Sequence, residues 1–127
     1  AMVFHGTEDP VVLYDGGEVQ YVPLRWLAAA LDASPIFVGS NWVPSWAELN
    51  GCNPTPEPIA APGDVAGVRY TGCQDGADVV FYAVGGAGHT WPGGWPSPGG
   101  LGKTSKDIDA TQELWTFFQG YQLNNQP

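Results

Sequence analysis

The run Val79-Val80-Phe81-Tyr82-Ala83-Val84 is apolar at both odd and even positions, and it empties into Gly85-Gly86-Ala87-Gly88. A short strand covered on both faces reads this way, as the strands of α/β sheets do. The small residues after it let the chain turn sharply and let other backbone approach closely. His89 comes next, followed by the rigid turn Thr90-Trp91-Pro92-Gly93-Gly94. A histidine held at the end of a buried strand stands where a general base is needed. A polar histidine at the rim of a sheet is the plainer reading, and a second corner elsewhere in the chain weighs against it.

That corner lies in Met2-Val3-Phe4-His5-Gly6-Thr7-Glu8-Asp9-Pro10, where an apolar run breaks at His-Gly and a carboxylate follows. On one parallel sheet, both corners reach the carboxyl edge of the strands, where open α/β sheets keep their sites. An aspartate orienting a histidine is two-thirds of a nucleophile–base–orienter triad. Acid first and histidine last is the tail of the order Ser…Asp…His. Glu8 is the competing carboxylate, and His5 is expected to serve the corner structurally.

These residues resemble the C-terminal half of the secreted esterases grouped with polyhydroxybutyrate depolymerases and feruloyl or acetylxylan esterases. The matching pieces are His5-Gly6-Thr7-Glu8-Asp9-Pro10-Val11-Val12, Trp46…Asn50-Gly51-Cys52, Tyr70-Thr71-Gly72-Cys73, Gly88-His89-Thr90-Trp91-Pro92-Gly93-Gly94 and Asp107-Ile108-Asp109-Ala110-Thr111…Trp115-Thr116-Phe117-Phe118. Leu13 and Ala87 depart from the pattern, where proline and glycine are expected. The resemblance implies the last parallel strands and flanking helices of an α/β-hydrolase fold. It implies Asp9 as acid and His89 as base of a Ser-His-Asp triad, acting on carboxylic esters without a cofactor. It also favours a Cys52–Cys73 disulfide over two free thiols. A disulfide points to a secreted or periplasmic protein, and closing a loop of about 20 residues adds roughly 3 kcal/mol on the chain-entropy model.

The nucleophile is missing from this picture. Ser34, Ser40, Ser45, Ser97 and Ser105 are the serines, and none sits in a Gly-x-Ser-x-Gly elbow. The expected protein is therefore part of an esterase whose N-terminal half carries the elbow and oxyanion loop. The chain alone is expected to be inert or nearly so, and to form a homo-oligomer if stable by itself, because strands cut from a larger sheet expose an apolar edge.

Composition narrows the partners. The 127 residues suit one domain, and a hydrophobic fraction of 43% suffices for a small core. A net charge of -9 with four Lys and Arg argues against nucleic acid or an anionic membrane surface. No apolar run approaches the roughly 20 residues that span a bilayer. Ala1-Met2 reads as an engineered scar or a truncated start rather than a biological N-terminus. Two cysteines and two histidines far apart make no metal-ligand set.

In order, the chain divides into an acid corner over 2–14, a helix and insertion over 22–64, final strands over 65–84, a histidine loop over 85–100 and a C-terminal helix over 107–121. Pro23 starts an amphipathic helix carrying Leu24, Leu27, Ala28 and Leu31. A short helix is expected around Trp46 to Asn50, then a proline-rich surface loop, then an extra strand over Val65 to Thr71. Trp42 and Trp46 are candidates for cleft or core, and Trp46, at helical spacing from Leu49, is assigned to the core. Trp91 and Trp95 are the candidates for touching a polymer or an aromatic acyl group. The last helix, starting near Asp107 or Asp109, is expected to pack on the sheet through Thr111, Leu114, Trp115 and Phe118.

Two other readings compete with the esterase. A non-catalytic module would use exposed tryptophans on polyester or polysaccharide. A purely structural domain would leave Asp9 and His89 unconnected and beyond hydrogen-bond reach.

Overall fold

The computed structural model describes residues 1–17, 42–97 and 99–121. The helix expected from Pro23 to Leu31, and with it Ser34 and Ser40, lies outside these residues.

Strand β1 (Met2–Gly6) and strand β4 (Val79–Val84) are hydrogen-bonded neighbours, although most of the chain separates them. They run parallel in the register Met2 opposite Val80 to Gly6 opposite Val84, so both strands end at the same level. Strand β3 (Val65–Tyr70) lies antiparallel on the other side of β4, and strand β2 (Glu57–Ile59) closes the order β1-β4-β3-β2. The sheet is therefore mixed. The stretch from 65 to 84, expected to hold the final strands, runs once in each direction, because the short turn over residues 71–78 forces a hairpin-like return. Pro58 is accommodated because β2 is an edge strand, where a missing donor costs least.

Alternation along β4 divides the core. Val80, Tyr82 and Val84 face one side, with Val65, Ala87 and Ile108, and Phe117 packs against them. Val79 and Phe81 face the other side, with Val43, Ala47 and Tyr70. Helix α1 (Trp42–Leu49) supplies Val43 and Ala47, four apart and so on one face. Helix α2 (Ala110–Gln119) covers the opposite side of the sheet. Strand β4 is thus buried on both faces, as its unbroken apolar run requires.

Helix α2 begins where its sequence says it should. The Asp109 side chain accepts hydrogen bonds from the Thr111 and Gln112 amides, satisfying two donors that have no partner inside the helix. The buried face differs from the expected one. Ala110 is fully buried and Phe117 packs on the core, whereas Trp115 is 62% and Phe118 58% exposed. The inward turn is fixed by Ala110, the first residue of the helix, and by Glu113, whose carboxylate accepts a hydrogen bond from the Tyr82 hydroxyl. Trp46 is likewise exposed rather than in the core, because Val43 and Ala47 occupy the inner stripe of α1.

Cys52 and Cys73 form a disulfide across 21 residues of sequence. Backbone bonds from Asn53 to Thr71 and from Gln74 to Asn50 flank it, so the end of α1 is tied to the end of β3.

Candidate functional site

Because β1 and β4 end level, the two loops that leave them meet. The Thr7 amide donates to the Val84 carbonyl at 3.0 Å and the Glu8 amide to the Ala87 carbonyl at 3.0 Å. The Thr7 hydroxyl accepts from the Gly86 amide at 2.9 Å. Gly6 permits this contact: a Cβ there would stand 2.2 Å from the Ala87 carbonyl oxygen. Gly86, with φ of 64°, takes the left-handed turn that its missing side chain allows.

The meeting brings Asp9 to His89. Asp9 Oδ2 lies 2.9 Å from His89 Nδ1. The other carboxylate oxygen, Oδ1, accepts from the Val11 and Val12 amides, each at 2.8 Å. Asp9 is buried, whereas Glu8, the competing carboxylate, is exposed. A carboxylate accepts, so His89 Nδ1 carries the hydrogen, which in the neutral ring leaves the lone pair on Nε2. Among the described residues Nε2 has no hydrogen-bond partner, and the imidazole is 48% exposed. A residue pair 80 apart in sequence is thereby held at hydrogen-bond distance, contrary to the expectation of the purely structural reading.

The histidine loop is fixed from behind. The Gly88 and His89 amides donate to the Lys103 and Leu101 carbonyls, and the Thr90 hydroxyl also donates to Lys103. The Ala110 amide donates to the Pro92 carbonyl, and Trp91 Nε1 donates to the Thr111 hydroxyl at 2.9 Å. Helix α2 thus supports the loop through its first turn.

A cleft of about 510 Å³ opens beside the pair, lined by Phe4, Trp42, His89, Thr90, Trp91 and Ser97 among others. Trp91 reaches this cleft. Trp95 does not line it and is almost fully exposed. Trp42, a candidate for cleft or core, stands in the wall of the cleft. Ser97 was visible as a serine in the sequence, but nothing local signals that its loop folds back toward His89. No cluster of His, Cys, Asp and Glu able to hold a metal ion occurs among the described residues. None of their helices is long and apolar enough to cross a membrane.

No protein-family model matches this chain, and no solved structure matches it. Feruloyl esterase B of Piromyces equi is 34% identical over 88 residues, covering 68% of this chain and 14% of that protein. The chain thus spans only a small part of the relative that it matches. The likeness hints at a feruloyl esterase-like relationship and is consistent with an esterase-like hydrolase in general.

Proposed function

We propose that Asp9 and His89 are the acid and base of a Ser-His-Asp triad in a carboxylic ester hydrolase built on an α/β-hydrolase fold. The observation that carries this reading is the 2.9 Å contact between Asp9 Oδ2 and His89 Nδ1, with Nε2 left open to the cleft. The serine and the oxyanion donors come from a nucleophile-bearing segment outside this sequence. His89 Nε2 takes the serine proton as its oxygen bonds to the ester carbonyl carbon. It then gives that proton to the departing alkoxide as the ester C–O bond breaks. Water repeats the cycle on the acyl-serine, with the same nitrogen as base. Asp9 holds the ring in the required tautomer and stabilises the imidazolium. Polyhydroxyalkanoate, feruloyl and acetyl esters are the substrate class, with Trp91 as the wall of the site. The disulfide favours a secreted or periplasmic location.

The test is hydrolysis of a short p-nitrophenyl ester. The chain alone and its His89→Ala variant should give the same rate. Joined to the nucleophile-bearing half of an ester hydrolase, the chain should lose activity on the order of 10⁶-fold with His89→Ala. It should lose about 10⁴-fold with Asp9→Asn. Hydrolysis by the joined protein that ignores both substitutions would contradict the proposal. His89-dependent hydrolysis by the chain alone would place the nucleophile within it, with Ser97 of the cleft wall as the first candidate.

A second reading, a polymer-binding module, is favoured by the exposure of Trp95 at 91%, Trp115 at 62% and Trp91 at 51%. It predicts binding to insoluble polyester or polysaccharide that survives His89→Ala.

A further inference from the structure

The triad reading leaves the buried imidazole of His5 without a task. His5 is 8% exposed at the end of β1, and its Nε2 lies 2.9 Å from the Val12 carbonyl oxygen. A carbonyl only accepts, so Nε2 of His5 bears a hydrogen, the opposite tautomer to that of His89. Val12 is therefore held at both ends: its amide donates to Asp9 Oδ1 and its carbonyl accepts from His5. The same His5 nitrogen lies 3.8 Å from Asp9 Oδ2, too far for a hydrogen bond but with the positive end of its N–H near that oxygen. The Tyr14 ring covers His5 at 5.3 Å between centroids. Burial, and then the charge of Asp15, raise the Tyr14 phenol above its ordinary range, so the neighbour is neutral near pH 7.

We infer that His5 is a positioning residue: it ties Val12 back to β1 and so fixes the direction in which Asp9 presents Oδ2 to His89. The inference rests on the reading of Asp9 and His89 as an acid–base pair. Two backbone amides orient Oδ1 only if the loop that carries them is itself held. His5 connects that loop to the sheet by a hydrogen bond, reaching from residue 5 to residue 12, while farther along the loop Tyr14 stacks on Phe81. Without it, the carboxylate is free to turn toward solvent, and His89 loses the partner that selects its tautomer.

The two histidines make the test direct, because ring nitrogen shifts from heteronuclear NMR report the tautomer of each in the intact chain. In the starting protein His89 should show the Nδ1–H tautomer and His5 the Nε2–H tautomer. His5→Gln places an amide donor near the lost Nε2 and should keep His89 in its Nδ1–H form. His5→Asn, too short to reach Val12, and His5→Leu, with no donor, should lose that signature, with circular dichroism and an intact disulfide showing that the fold persists. If the Asn and Leu variants keep the Nδ1–H form, the inference is overturned while the Asp9–His89 pair stands. If Gln fails along with them, the donor role is overturned. If the starting protein lacks the Nδ1–H form and Asp9→Asn changes nothing, the acid–base reading falls, and this inference falls with it.

Discussion

Gly6 and Ala87 touch backbone to backbone: a single methyl group on Gly6 would stand 2.2 Å from the Ala87 carbonyl oxygen. That contact locks the acid corner onto the histidine loop, and everything at the site depends on it. Gly6→Ala should therefore separate the corners. Overpacking of this kind costs roughly 1–3 kcal/mol, and here the obstruction is backbone that has no rotamer to yield. Urea unfolding should show the loss of stability, and the His89 ring nitrogens should show the loss of Asp9.

The two carboxylates of the corner should behave differently. Asp9 is buried and accepts from the Val11 and Val12 amides, so Asp9→Ala leaves those donors without a partner, at about 1–3 kcal/mol. Glu8 is exposed, and Glu8→Ala should stay within about 0.5 kcal/mol of the starting protein. Matched denaturation curves decide the point, and equal effects would contradict the assignment of Asp9 as the structural and chemical centre of the corner.

On α2 the inner and outer faces are distinguishable by substitution. Phe117 packs against the core beneath β4, and Phe117→Ala should destabilise by about 2 kcal/mol, less than the 3–5 of a wholly buried phenylalanine. Trp115→Ser should cost little, because that ring is 62% exposed. The reverse order, measured by thermal unfolding, would restore the face expected from the spacing of Thr111, Leu114, Trp115 and Phe118.

This helix shows where the sequence ran out. Its start was legible because a capping aspartate is a local signal. Its orientation was not, since both stripes carry large apolar residues and periodicity alone cannot choose between them. The choice is made by Ala110 under the histidine loop and by Glu113 on Tyr82, both tertiary contacts. The same division runs through the chain. Strand β4 and the two corners were readable from runs and motifs a few residues long. The antiparallel pairing of β3, with its Gly67 and its Pro58-bearing edge partner, left only weak alternation to read. That Asp9 and His89 meet follows from the level ends of β1 and β4, which their local sequences anticipate but do not contain.

Tyr82 gives the fold an alkaline limit. Burial first, and then the Glu113 carboxylate that accepts from its hydroxyl, raise its phenol above the usual value of 10.0. A raised phenol pKa in the folded state means stability that is fully present below the unfolded value and lost as pH climbs through the folded one. Stability should therefore begin to fall above about pH 10, and Tyr82→Phe should lessen that decline, the raised phenols of Tyr14 and Tyr121 supplying the rest. Urea midpoints measured across this range, with ultraviolet absorbance following phenolate formation, check the sign. A decline unchanged in the variant would remove Tyr82 as its source.

Asp9 selects the form of His89 that leaves Nε2 free to take a proton, and the triad proposal stands or falls on that selection. The ring nitrogen shifts of His89 in the starting protein and in Asp9→Asn measure this without any nucleophile present. The predicted result is an Nδ1–H tautomer that reverts to Nε2–H when asparagine offers its amide to Nδ1, the wrong form for a base. A His89 that shows the same tautomer with and without the carboxylate would contradict the account.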